Sequence, residues 1–128
     1  MNIDEITYKI RGAVFEVNRV LGHGFLEKVY EKALIIELRR QGLRVKNQAP
    51  LQVRYKEDMV GEYFADLLVE DCVIVEIKAV GHLHKVHQAQ LLNYLKATGV
   101  KVGLLVNFSK SKAEIKRMVW ELPEGPEK

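Results

Sequence analysis

The chain of 128 residues carries 20 Lys and Arg against 17 Asp and Glu, four His and one Cys, for a formal net charge of +3. At 48% hydrophobic and 29% charged it has the composition of one globular domain with a core, which excludes a disordered tail and argues against two full domains. A lone Cys72 excludes an internal disulfide, a cysteine zinc cluster and a four-thiolate iron–sulfur site, and fits a reducing, cytoplasmic setting. No basic leader precedes an apolar stretch, and no run approaches the roughly 18 apolar residues of a membrane span, so the expectation is a soluble, unprocessed protein with no membrane partner.

Ile3, Ile6, Ile10, Ala13, Val14, Val17 and Leu21 recur at three- and four-residue intervals and predict a first amphipathic helix over 3–21. Gly22 and Gly24 stop it, a second helix follows over about Leu26 to Gln41, and Gly42 ends that one. The period then changes. Leu43 to Tyr55 reads as extended with a break at Pro50, Lys56 to Asp58 as a turn, and Met59 to Val69 as a strand. After a turn at Glu70 and Asp71, Cys72 to Ala79 is a β-branched run suited to the middle of a sheet. A helix over Lys85 to Thr98, ended by Gly99, leads to a strand over Val100 to Phe108. Glu114 to Glu121 is ambiguous between helix and strand. The order describes an α+β domain with a mixed sheet over 1–122, with a frayed tail at 123–128.

Charge is unevenly placed. Arg39 to Lys56 holds six basic residues and no acid, and Ile77 to Ala113 holds six lysines, three histidines and again no acid. Solvated basic faces and surfaces kept clear for phosphate are equally compatible with this pattern.

More informative are charged residues at positions where the pattern calls for apolar ones. Asp66 lies within Tyr63-Phe64-Ala65-Asp66-Leu67-Leu68-Val69, and Glu76 and Lys78 share one face of Val73-Ile74-Val75-Glu76-Ile77-Lys78. Burying an unpaired carboxylate costs about several kcal/mol, so Asp66 needs a partner. An ion pair between Glu76 and Lys78 would leave it unexplained. Glu27 stands three residues before Tyr30 and seven before Leu34 on the second helix, either as an ordinary first-turn glutamate or as a third acid. Carboxylates converging on a hard divalent cation, Mg²⁺ or Mn²⁺, would account for all three, with a lysine beside the attacking water. This requires Asp66 and Glu76 to share a face, hence a three-residue connection at Glu70-Asp71-Cys72 or a bulged two-residue turn.

Asp66, nine intervening residues and Glu76-Ile77-Lys78 resemble the D-(x)n-ExK signature of the PD-(D/E)XK nuclease superfamily, with Ala65 where the motif has proline. Gly24 to Tyr30 reads as GxxExxY, and the chain resembles the small proteins called by that name. Gln90-Leu91-Leu92-Asn93-Tyr94 is similar to the QxxxY element of the RecB-like branch. The resemblance covers the chain from helix one to Phe108. It implies a restriction-endonuclease-like core, Glu27, Asp66 and Glu76 as metal ligands with the Ile77 carbonyl, Lys78 as the catalytic lysine, and Gln90 and Tyr94 beside it. It also favours a strand for Ile115 to Trp120.

The expected function is therefore Mg²⁺- or Mn²⁺-dependent phosphodiester hydrolysis of nucleic acid, DNA foremost. Arg39, Arg40, Arg44, Lys46, His82, His84, Lys85 and His87 are the candidate backbone contacts. The alternatives are a nuclease-fold module that binds nucleic acid or protein without cutting, and a homodimeric, structure-selective enzyme similar to the Holliday-junction resolvases. The three histidines lack HExxH spacing and a thiolate partner, so no zinc site is expected, and no dinucleotide or P-loop motif occurs.

Overall fold

The computed structural model describes residues 1–109 and 111–121; the tail expected at 123–128, and Lys110, lie outside them. Helix α1 (Ile3–Leu21) starts from a reciprocal cap. The Asn2 side chain accepts the Glu5 N–H at 2.8 Å while the Glu5 carboxylate accepts the Asn2 N–H at 3.2 Å. Its apolar stripe, Ile6, Ile10, Ala13, Val14 and Val17, is buried as the period requires. Gly22 (φ 71°) and Gly24 (φ 109°) then turn the chain through conformations that side chains rarely adopt.

Tyr30, on helix α2 (Glu27–Arg40), fixes that turn. Its hydroxyl donates to the Gly22 carbonyl at 2.7 Å and accepts the Phe25 N–H at 3.2 Å, while its ring stacks flat on Phe108 at 4.5 Å. The glycine and tyrosine ends of the GxxExxY segment thus form one structural unit. Tyr30→Phe leaves two backbone groups without this partner and is expected to cost about 1–2 kcal/mol, measured by urea unfolding with an unchanged m value.

Five strands form one sheet in sequence order: β1 (Val45–Tyr55), β2 (Asp58–Val69), β3 (Val73–Lys78), β4 (Val102–Asn107) and β5 (Glu114–Val119). The pairs β1–β2, β2–β3 and β4–β5 are antiparallel. Strand β3 pairs parallel with β4, and helix α3 (Lys85–Thr98) supplies the crossover that a parallel pair needs. This is the α+β, mixed-sheet class expected. Two local expectations change. The strand expected to break at Pro50 runs on through it, because β1 is an edge strand on which a proline's missing N–H removes no ladder bond. The ambiguous segment is a strand, held against β4 from Val102↔Val119 to Asn107↔Glu114.

Helices α1 and α2 cover one face of the sheet through Val14, Tyr30, Leu34, Leu67, Val75 and Val106. On the other face α3 packs Leu91 and Leu95 against Leu68, Ile74 and Leu105. Gly103 permits that approach, since a Cβ there would stand 2.9 Å from a methyl of Leu91.

Candidate active site

The β2–β3 connection is the three-residue one. Val69 pairs with Val73, Leu68 with Ile74 and Leu67 with Val75, and Glu70 and Asp71 turn at φ 53° and 55°. One step further along this register, Asp66 stands opposite Glu76. There side chains take over from the backbone ladder. Ile77 N–H donates to Asp66 Oδ2 at 2.8 Å, and Asp66 N–H donates to Glu76 Oε2 at 2.9 Å. Two partly buried carboxylates therefore sit in the opening between the strands, with Lys78 next on the same face of β3.

Burial raises both acids. The Asp66 carboxyl is pushed up by burial and by Glu31, against the Ile77 N–H, Gln48 and Lys78. Glu76 is pushed up to about 7 by burial and then by the Asp66 charge, against the lowering effects of Tyr63, the Asp66 N–H and Lys78. Such a pair is short of positive charge.

The remaining expected residues separate into those near this opening and those away from it. Glu27 is exposed at the first turn of α2 and lies near His87, whose pKa is lowered by burial and by the Lys78 and His84 charges, with Glu27 opposing them. The His84 backbone N–H donates to His87 Nδ1 at 3.3 Å, and the Lys78 charge acts on His87, which brings the start of α3 within electrostatic reach of that lysine. His82 and Lys85 are exposed in the same segment. The first basic stretch lies elsewhere. Arg44 and Lys46 pair with Glu70 and Asp71 at the far end of the β2–β3 hairpin, about 13 Å along the strand from Asp66. Arg39 and Arg40 occupy the last turn of α2, the former donating to the Val45 carbonyl at 3.1 Å and the latter 3.9 Å from Glu37. Gln90 is exposed on α3, and Tyr94 stacks on Tyr63 with ring centroids 3.4 Å apart.

Residues absent from the sequence-based set complete the site. Glu31, one turn beyond Glu27, is 5% exposed; Lys28 reaches it at 2.7 Å, and Asn47 and Gln48 each donate to its Oε2 at 2.8 Å. Burial raises the Glu31 carboxyl, but these three donors outweigh it and hold the pKa below the ordinary value. Tyr63 brings a buried hydroxyl with no hydrogen-bond partner among the described residues, and burial together with the Glu76 charge holds its proton in place. The one signal for Glu31 was its spacing, three residues before Leu34 and seven before Leu38.

Among the described residues no three or more His, Cys, Asp and Glu side chains gather so as to hold an ion. The Asp66–Glu76 pair still fits a hard divalent cation by its chemistry, since both are oxygen donors whose raised affinity for protons marks a site deficient in positive charge.

An α+β core with an acid pair opposed across two central strands and a lysine two residues beyond is an arrangement of nuclease type. The family model of the PD-(D/E)XK nuclease superfamily matches residues 4–118, and the chain belongs to that superfamily. Members of that superfamily are nucleases that generally use divalent metal ions. No curated protein matches the chain. Among solved structures it is similar to one titled "Crystal structure of SSO0001", with a TM-score of 0.56 and 17% identity over 75% of this chain and 50% of that one. The chain thus matches half the length of that protein, and the likeness shows a shared fold. No helix among the described residues is long and apolar enough to cross a membrane.

Proposed function

We propose that the chain is a Mg²⁺- or Mn²⁺-dependent nuclease that hydrolyses phosphodiester bonds of DNA, of the GxxExxY group with a RecB-like α3 element. The observation that carries this is the raised carboxylate pair, Asp66 and Glu76, opposed in the opening between β2 and β3 with Lys78 beside it. Asp66, Glu76 and the Ile77 carbonyl would hold the cation, with Glu27 or Glu31 of α2 as the helix-borne acid. When bound there, such a cation would supply Lewis-acid polarisation of the phosphate and a more acidic attacking water.

Lys78 orients that water and offsets charge on the phosphate, and Lys28, His84 and His87 take the flanking phosphates. The RecB-like element acts through packing. Tyr94 stacks on Tyr63, whose hydroxyl faces the Glu76 carboxylate. Cleavage of single-stranded, duplex and branched DNA and RNA with Mg²⁺ or Mn²⁺, beside Lys78→Ala, tests the reading. The expected result is metal-dependent cutting of at least one DNA, lost by about a hundredfold in the variant. Tight binding of the same DNA without cutting would instead favour the non-cleaving module. Light scattering with bound DNA tests the homodimer.

A further inference from the structure

We infer that Gln48 is a positioning residue for Asp66, forming with Asn47 a carboxamide clamp that joins the acid of α2 to the acids of the sheet. The inference rests on the nuclease reading for its purpose, though not for its geometry. Consecutive side chains of a regular strand point to opposite faces, so Asn47 and Gln48 should not reach one carboxylate. Here both donate to Glu31 Oε2 at 2.8 Å. The backbone explains how. Gln48 stands at φ 51° between the regular pairs Asn47↔Leu67 and Ala49↔Ala65, a left-handed residue inside a strand. For a residue that is neither glycine nor asparagine this conformation is unfavourable, and such strain collects at functional sites.

What the strain achieves can be counted in protons. Each carboxamide has two N–H donors. Gln48 directs its pair at Glu31 Oε2 and, at 3.3 Å, Asp66 Oδ1; Asn47 directs its pair at Glu31 Oε2 and, at 3.1 Å, the Asp66 carbonyl. All four contacts fall on the same two residues. Asp66 Oδ2 is meanwhile held by Ile77 N–H, so Gln48 fixes the second oxygen and with it the rotation of the carboxylate. A hydrogen bond from a neighbouring side chain that orients a metal-binding carboxylate is commonly worth ten- to a hundredfold in metal affinity, about tenfold being the expectation here.

Two variants separate the amide from the backbone. Gln48→Gly removes the side chain and suits the positive φ; Gln48→Met keeps the length and removes the donors. Amide hydrogen exchange at Ile77, which reports on Asp66 Oδ2, is compared with that at Val75 in the intact ladder, in metal-free protein. Both variants are expected to speed exchange at Ile77 about tenfold relative to Val75, and to weaken Mn²⁺ binding by calorimetry about tenfold. An unchanged Ile77 to Val75 ratio, equal acceleration at both, or acceleration in Gln48→Gly alone overturns the inference, as does unchanged Mn²⁺ affinity. Should the wild-type chain take up no Mn²⁺, the metal reading fails, and the exchange ratio decides the role of Gln48 by itself.

Discussion

Asp66→Asn and Glu76→Gln are each expected to lower metal-dependent cleavage by about two to three orders of magnitude while leaving the metal-free fold as stable as before or more so. Loss of activity follows from removing one of two charges that would hold the cation and keep the water acidic. The stability half of the expectation follows from the geometry. Asparagine at 66 keeps an oxygen for the Ile77 N–H, and glutamine at 76 keeps one for the Asp66 N–H. Each substitution also removes a charge whose burial beside another acid is unfavourable, which is why Glu76 is raised to about 7. Glu76→Gln is the cleaner variant, because glutamine keeps the side chain's length and leaves a polar group facing the Tyr63 hydroxyl. Thermal melting and cleavage rates measured on the same preparations check both halves. Residues that merely supported the fold would lose stability and activity together, and undiminished cleavage by both variants would sink the active-site assignment.

The register that creates this pair was legible in the sequence for a simple reason. Period-two alternation fixes which side chains share a face, and the hairpin arithmetic then left two connections that put Asp66 opposite Glu76, a three-residue one or a bulged two-residue turn, of which the chain forms the first. Glycine punctuation located α1 and α3 equally well, since Gly22 and Gly99 both stand at positive φ just past the helix ends. Helix α2 shows where such reasoning stops. Glu27 and Glu31 each stand three and seven residues before two buried apolar positions, so the period admits both, yet the structure exposes the first and buries the second. Only the packing of α2 on the sheet distinguishes them. Gln48 was invisible for the opposite reason. Its importance comes from breaking the strand's alternation, and a left-handed glutamine leaves no trace in a hydrophobic pattern. Charge density misled in part as well. Arg44 and Lys46 belong to an acid-free run in sequence, but the hairpin turn brings Glu70 and Asp71 against them in space.

Metal-free protein is expected to lose stability as pH rises from about 5 to 8, and a divalent cation to reverse that loss. Glu76 titrates near 7 when folded and, at its ordinary value of about 4.3, when unfolded. Between these values the folded state binds the extra proton, so its stability contribution is complete below the unfolded value and is lost as pH passes the folded one. Asp66 is raised too and adds in the same direction. Glu31 is lowered and opposes them only in acid, where its stabilising charge is lost as pH falls. Water reaching the partly exposed carboxyls, and the dependence of each titration on the other charge, reduce the full effect to about 1–2 kcal/mol, or several degrees in Tm. A divalent cation does at pH 8 what the proton does at pH 5, so Mg²⁺ or Mn²⁺ should raise Tm strongly at the higher pH and little at the lower. Glu76→Gln should flatten both dependences. Melting curves of the two proteins across this range, with and without the cation, read the linkage directly. A wild-type Tm that is flat or rising with pH above 5.5 in metal-free buffer would show that the acid pair does not carry the strain assigned to it.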